Sequence, residues 1–169
     1  MSRTGKKRKA VLVTGASGYL GSQLIEALAR HENALKTIVA TDVRTVEPSS
    51  RSHGVEYLTA DIRSPELSKI FADRATDIVV HLASIVTPGK KSDREFECSV
   101  DVLGTENVLR ACIEAGTDKL IITSSGAAYG YHPDNPDWLV ESDALRGNAE
   151  FAYSDHKRLV EEMLDRHRK

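Results

Sequence analysis

The stretch AVLVTGASGYLGSQLIEALAR, residues 10–30, decides the fold. Ala10 to Thr14 is a short apolar run stopped by Gly15, the pattern of a buried strand. From Tyr19 to Arg30 the apolar residues Leu20, Leu24, Ile25 and Leu28 fall on one stripe of a helix. Between strand and helix stand Gly15, Ser17, Gly18 and Gly21. Gly15 suits a tight turn, Gly18 a close backbone approach to a pyrophosphate, and Gly21 close packing of helix on strand. The N–H groups that open a helix then point at the phosphates. Glycines are common in turns, so spacing alone says little. The strand before and the helix after supply the context that a dinucleotide-binding turn requires.

Working outward, apolar runs continue to alternate with helical patterns. Thr37–Thr41, Val55–Thr59, Asp77–Leu82 and Lys119–Thr123 read as strands. Ser64, Pro65 and Glu66 read as a helix start: a capping serine, a proline at the first position and an acid in the first turn. That helix runs to about Arg74. A long helix is expected over Asp93–Ala115, stopped by Gly116, and a last one from Phe151 almost to the end. Gly130–Asn148 is loop-like, with Asp134, Asp137, Glu141 and Asp143 keeping it solvated and Trp138 as its anchor. Strands alternating with helices predict an α/β fold, a doubly wound parallel sheet of the Rossmann type with about five strands. Runs such as Ile78-Val79-Val80 and Leu120-Ile121-Ile122 suit strands covered on both faces.

Asp42 ends the second strand about 20 residues past the glycines, where a carboxylate binds ribose hydroxyls. It favours NAD over NADP, because a carboxylate repels a 2′-phosphate. Arg44 is close enough to receive such a phosphate.

Two further features carry chemistry. Ser124 and Ser125 follow the fifth strand directly, and the carboxyl ends of strands in such sheets face the ligand crevice. Tyr153 and Lys157, four apart in the last helix, share a face. Val160 and Leu164 continue that face inward, so Lys157 points partly toward the protein. A phenol beside an ammonium gives up its proton more readily. Tyr153 is then a base for a substrate hydroxyl, Ser125 a hydrogen-bond partner for the same oxygen, and Lys157 a holder of the nicotinamide ribose.

Composition excludes other classes. The 169 residues carry a net charge of −2, with nothing that suggests a nucleic-acid or acidic-membrane partner. Cys98 and Cys112 lack metal-ligand spacing and read as reduced thiols of a cytoplasmic protein. No apolar run is long enough to span a membrane. The histidines are scattered without paired ligand spacing, so no metal is expected. Residues 1–9 read as a basic, disordered leader, and 10–169 as a single dinucleotide-binding domain.

The whole pattern after Lys9 resembles the extended branch of the short-chain dehydrogenase/reductase superfamily, the NAD-dependent epimerase/dehydratase group. The resemblance rests on Thr14-Gly15-x-x-Gly18-x-x-Gly21, Asp42, Asp61-Ile62, His81-Leu82-Ala83-Ser84, Gly104-Thr105-x-Asn107-Val108-Leu109, Ser124 to Gly130 and Tyr153-x-x-x-Lys157. It implies that Tyr19 and Leu20 lie along the pyrophosphate, Asp61 and Ile62 flank the adenine, and Leu82, Ala83 and Ser84 line the cofactor groove. It implies Ser125, Tyr153 and Lys157 as the catalytic set. Asp101 is a departure, since the family usually has asparagine there, and an ionised carboxylate cannot donate a hydrogen bond. Family members also run longer, adding strands and a substrate domain, so a fragment, a truncated gene product or a protein that completes itself by pairing is expected.

The resulting expectation is an NAD-dependent oxidoreductase or epimerase acting on a nucleotide sugar or a related alcohol or ketone. The alternative is a dinucleotide-binding module without catalysis, a sensor or assembly subunit, or an inactive fragment. A homodimer through the helices at 93–115 and 151–167 is a further expectation from the resemblance.

Overall fold

The computed structural model describes residues 8–86 and 93–168. The basic leader, apart from Arg8 and Lys9, lies outside the described residues. Among the described residues five strands form: β1 (Ala10–Thr14), β2 (Thr37–Asp42), β3 (Val55–Thr59), β4 (Ile78–His81) and β5 (Lys119–Ile122). Five α-helices accompany them there: α1 (Tyr19–Ala29), α2 (Leu67–Asp73), α3 (Arg94–Cys98), α4 (Thr105–Ala115) and α5 (Ala152–His167).

The described residues form two compact units. The first reaches Ala83 and takes in Val108–Ile122, and so holds the whole sheet. Its strand order is β3-β2-β1-β4-β5, with every neighbouring pair parallel. Crossovers run one way from β1 to β3 and then return to β4 on the other side of β1. The reversal lies between β1 and β4, the place where such sheets bind ligands. This is the α/β Rossmann-type sheet expected from the alternating pattern.

The core follows from the sequence. All five residues of β1 are buried, as befits a central strand covered on both faces. Val11, Val13, Ile38 and Ala40 pack with Ile25 of α1, and Leu24, Leu28 and Tyr57 close around them. Removing one such side chain typically costs about 2–5 kcal/mol. At the other side the expectation of full cover fails. Lys119 and Ile121, on one face of β5, are exposed, and among the described strands β5 stands at the edge beside β4.

The second unit comprises Ser84–Asn107 and the residues from Thr123 onward. Here the expected helix over Asp93–Ala115 opens differently. Asp93 caps α3 by accepting from Phe96 N at 3.1 Å. A π-helical turn, Ser99–Gly104, then separates α3 from α4. At its end the Thr105 hydroxyl donates to the Asp101 carbonyl at 2.6 Å. A widened turn leaves the chain helical, so the apolar pattern does not reveal it.

There are two smaller differences. Ser64 Oγ accepts from Glu66 N at 3.2 Å, but the N-cap of α2 is Glu66, without a side-chain cap, and regular α-helix begins at Leu67. Trp138 is 88 % exposed and anchors nothing among the described residues. The Gly130–Asn148 segment is held by polar ties instead: Arg146 reaches Asp134 at 3.0 Å, and Val140 N donates to Asp143 at 2.8 Å.

Candidate functional site

In the first unit the turn after β1 is tied down by backbone groups. Gly18 N donates to Gly15 O at 3.0 Å, and Ala16 N to Thr41 O at 3.1 Å. The glycines are required by space. Gly15 has φ +68°, and a Cβ there would lie 2.6 Å from Ala83 N. A Cβ on Gly21 would lie 2.2 Å from Gly15 O. Turn, post-β4 segment and helix therefore meet at a distance that excludes side chains. Thr14 and His81, register partners at the ends of β1 and β4, close the floor with a buried 2.6 Å hydrogen bond.

At the turn, α1 opens on Gly18 with no side-chain cap and no acid in its first turn. Its positive end is left open toward an anion. Tyr19 and Leu20 are exposed there, and Leu82 and Ala83 are half-buried beyond β4. Ser17 Oγ is buried and has no hydrogen-bond partner among the described residues. Ser17 N donates to Asp42 Oδ2 at 3.0 Å, while Arg44 donates to Oδ1 from its backbone at 3.0 Å and from Nε at 3.3 Å. A carboxylate has room for further donors beyond these. Ala60 N donates to Asp42 O at 2.9 Å, which brings Asp61 and the buried Ile62 alongside the end of β2. The Arg63 guanidinium grips Asp61 and holds its carboxyl below the usual range. Beside Asp42 a cleft is lined by Ser17, Arg44, Arg51 and Tyr57. Arg51 lies 5.5 Å over the Tyr57 ring, a pairing that no sequence motif announces. These features fit a dinucleotide: an open helix end, a turn too tight for side chains, an unpartnered serine hydroxyl and a fixed carboxylate.

In the second unit, Lys157 lies on α5 with only 8 % of its surface exposed. Its Nζ donates to Thr123 O at 3.1 Å and stands 5.5 Å from the Tyr153 ring centroid. Tyr153 and Lys157 are thus brought together, as their spacing predicted. Burial pushes the lysine below its ordinary range, and the Asp101 and Glu161 carboxylates pull it back up. Ser125 caps a 3-10 turn, Gly126–Tyr129, its Oγ accepting from Ala127 N at 3.1 Å. That bond leaves the serine O–H free to donate elsewhere.

Sequence reasoning missed the residue that joins these parts. Ser154 is fully buried, and its hydroxyl donates to Ala127 O at 2.6 Å. Ala127 therefore links Ser125, through its N–H, to the residue next to Tyr153, through its carbonyl. Ser84 Oγ is a second buried hydroxyl without a partner among the described residues. A cavity of about 620 Å³ is lined by Ser124, Ser125, Tyr129, Glu141 and Asp143. Tyr153 and Lys157 are not part of that lining.

Comparison with known proteins fits this geometry. The profile of the NAD dependent epimerase/dehydratase family matches residues 11–169. The chain is 30% identical over 130 residues to a UDP-glucose 4-epimerase of Mycolicibacterium smegmatis, covering 74% of this chain and 42% of that protein. Among solved structures it resembles a UDP-glucose 4-epimerase from Brucella ovis in complex with NAD, at 25% identity and TM-score 0.77, covering 94% of this chain and 47% of that one. It also resembles a short-chain dehydrogenase/reductase superfamily protein from Agrobacterium tumefaciens with bound NAD, at 28% identity and TM-score 0.72, covering 95% and 45%. The chain spans less than half the length of each of these relatives. No helix among the described residues is long and apolar enough to cross a membrane. With the glycine turn and Asp42 in its first unit, and Ser125, Tyr153 and Lys157 in its second, the chain belongs to the NAD dependent epimerase/dehydratase family.

Proposed function

We propose that this chain carries the cofactor-binding and catalytic residues of an NAD-dependent oxidoreductase or epimerase whose substrate is a nucleotide sugar. The observation that carries the reading is the buried lysine held against the tyrosine: Lys157 Nζ lies 5.5 Å from the Tyr153 ring. Mere dinucleotide binding does not require a lysine to give up water beside a phenol. Family membership and the relatives named as UDP-glucose 4-epimerases support the substrate class.

When bound, NAD supplies the electron acceptor for oxidation of a carbinol carbon. The backbone N–H groups at Gly18, Tyr19 and Leu20 would hold its pyrophosphate, and Asp42 would accept from its ribose hydroxyls. Asp61 and Ile62 flank the adenine, and Leu82, Ala83 and Ser84 line the groove. Tyr153, as phenolate, takes the proton from the substrate hydroxyl. Ser125 donates its free O–H to the same substrate oxygen. Lys157 stabilises the phenolate through space and holds the nicotinamide ribose. In this reading NADP would be the weaker ligand, because the Asp42 carboxylate would repel a 2′-phosphate. A homodimer through α5 and the α3–α4 segment and a cytoplasmic setting belong to the same proposal. Cys98 and Cys112 are free thiols, which suits that setting.

The test uses the longest chain the gene encodes and a panel of nucleotide sugars, followed by nicotinamide absorbance. Tyr153→Phe is expected to cut turnover by about 10²–10⁴-fold while NAD affinity holds. Unchanged turnover in that variant overturns the mechanism. Tight NAD binding with no turnover across the panel supports a binding module instead.

A further inference from the structure

Between β2 and β3 the chain bends through a short 3-10 turn, Pro48–Ser50, and comes out at Arg51. There the Arg51 guanidinium stands 5.5 Å over the Tyr57 ring, and its Nε donates to Val46 O at 3.0 Å. The Tyr57 hydroxyl accepts from Ser52 N at 3.0 Å, which ties the ring to the residue after Arg51. An exposed arginine ordinarily keeps much rotamer freedom, and fixing it on binding costs affinity. This one is fixed in advance, and the sheet sets its place. Tyr57 pairs with Ala40, and Thr59 with Asp42, in the parallel register. Residues two apart on a strand share a face, so Tyr57 stands on the face that carries Asp42. One cleft is lined by Asp42, Arg44, Arg51 and Tyr57 together.

Charge decides what this cleft can take. Its charged lining residues are Asp42, Arg44 and Arg51. Ser17 N and Arg44 already engage the two Asp42 oxygens. Proximity in sequence points to Arg44 as the receiver of a ribose phosphate, but in the fold its Nε and backbone N–H are turned to Asp42. On Arg51, Nε meets a carbonyl, while Nη1 and Nη2 have no partner among the described residues. The surplus positive charge of the cleft therefore rests on Arg51. A guanidinium with both outer nitrogens open offers the fork that matches phosphate oxygens.

We propose that Arg51, seated on Tyr57, is the receptor for a phosphate monoester at the ribose 2′ position, and so the residue that sets how far NADP is admitted beside NAD. The inference rests on the dinucleotide reading given above and deepens it. Asp42 repels a 2′-phosphate and Arg51 attracts it, from the same cleft. NAD stays the tighter ligand, and NADP keeps a weaker but measurable affinity. That affinity depends on a side chain outside the glycine motif and seven positions past Arg44.

The experiment titrates the full chain with NAD and with NADP, which differ by the 2′-phosphate alone, before and after Arg51→Ala. NADP affinity is expected to fall by about tenfold or more, the loss of a hydrogen bond between charged groups. NAD affinity should hold within about twofold, which also shows that the variant is folded. Equal losses for the two ligands, or an unchanged NADP affinity, overturn the proposal. Should R51A not fold, Arg51→Gln decides the matter. It keeps a polar side chain near Val46 O but removes the charge, and it too should lose NADP selectively. NAD binding by the parent with no measurable NADP binding overturns this receptor and leaves the dinucleotide reading standing. Binding of neither ligand by the parent removes that reading, and this proposal with it.

Discussion

The backbone N–H of Ser17, inside the glycine turn, donates to the Asp42 carboxylate at 3.0 Å. One contact joins the segment expected to hold phosphates to the residue expected to hold ribose. Arg44 engages the other oxygen. Replacing Asp42 by Ala removes the proposed ribose acceptor and frees the Arg44 guanidinium. Asp42→Ala is expected to lose about tenfold or more in NAD affinity, in line with a hydrogen bond to a charged group. The preference for NAD over NADP should narrow or reverse. Calorimetry with both dinucleotides measures this, and an unchanged ratio contradicts the assignment of Asp42.

The tightness of the turn gives a stability prediction. A Cβ on Gly21 meets backbone atoms of Gly15 and Ala16, the nearest at 2.2 Å. Backbone cannot yield as a side chain can. Gly21→Ala should destabilise the fold by about 1–3 kcal/mol, the range for forced overpacking. Gly126→Ala is the control, since nothing lies within 4 Å of a Cβ there. Thermal melts that shift equally for the two variants would contradict this explanation of the turn.

Most of the sheet is legible in the amino-acid sequence, and the reason is periodicity. β1, β2, β3, β4 and β5 each stand where an apolar or alternating run reads as a strand, and their parallel pairing follows from alternation with helices. The glycine turn and Tyr153-x-x-x-Lys157 are legible because fixed spacing encodes them locally. What stays hidden depends on contacts far apart in sequence. Ser154 looks like any polar helix residue until its bond to Ala127 is seen. The Asp101–His156 contact spans 55 positions and a π-helical turn that leaves no trace in the apolar pattern. Trp138 misleads for the opposite reason: a lone aromatic in a loop suggests an anchor, and here it stands in solvent.

Ser154 can be tested apart from chemistry. Its hydroxyl is fully buried and satisfies the Ala127 carbonyl at 2.6 Å. Ser154→Ala removes one of two donors to that carbonyl, which keeps Gly130 N at 3.0 Å, so the expected cost is that of one hydrogen bond, about 0.5–1.5 kcal/mol. Denaturant unfolding measures it. Loss of the link to the Ser125 turn should also lower turnover, while NAD affinity holds. A variant as stable as the parent would show that the bond carries no weight.

The thiols give a pH-dependent prediction. Burial pushes Cys112 up to about 11. A thiol reacts as its thiolate, so at pH 8 the reactive fraction is only about one part in a thousand. Alkylation of Cys112 in the folded protein should be very slow at pH 8 and rise about tenfold per pH unit toward the shifted value. Cys98, half-buried, should label first. Mass spectrometry of timed reactions decides it, and rapid labelling of Cys112 at pH 8 contradicts the packing around α4.

The glycine turn and Asp42 carry the proposal that this chain is a receptor for NAD. Calorimetric titration of the 169-residue chain with NAD and, separately, with NADP is its sharpest test. Saturable binding of one NAD per chain is expected, with NADP weaker by about tenfold or more, the loss that follows when a carboxylate meets a phosphate in place of a hydroxyl. No binding of either dinucleotide, or NADP binding more tightly than NAD, would contradict it.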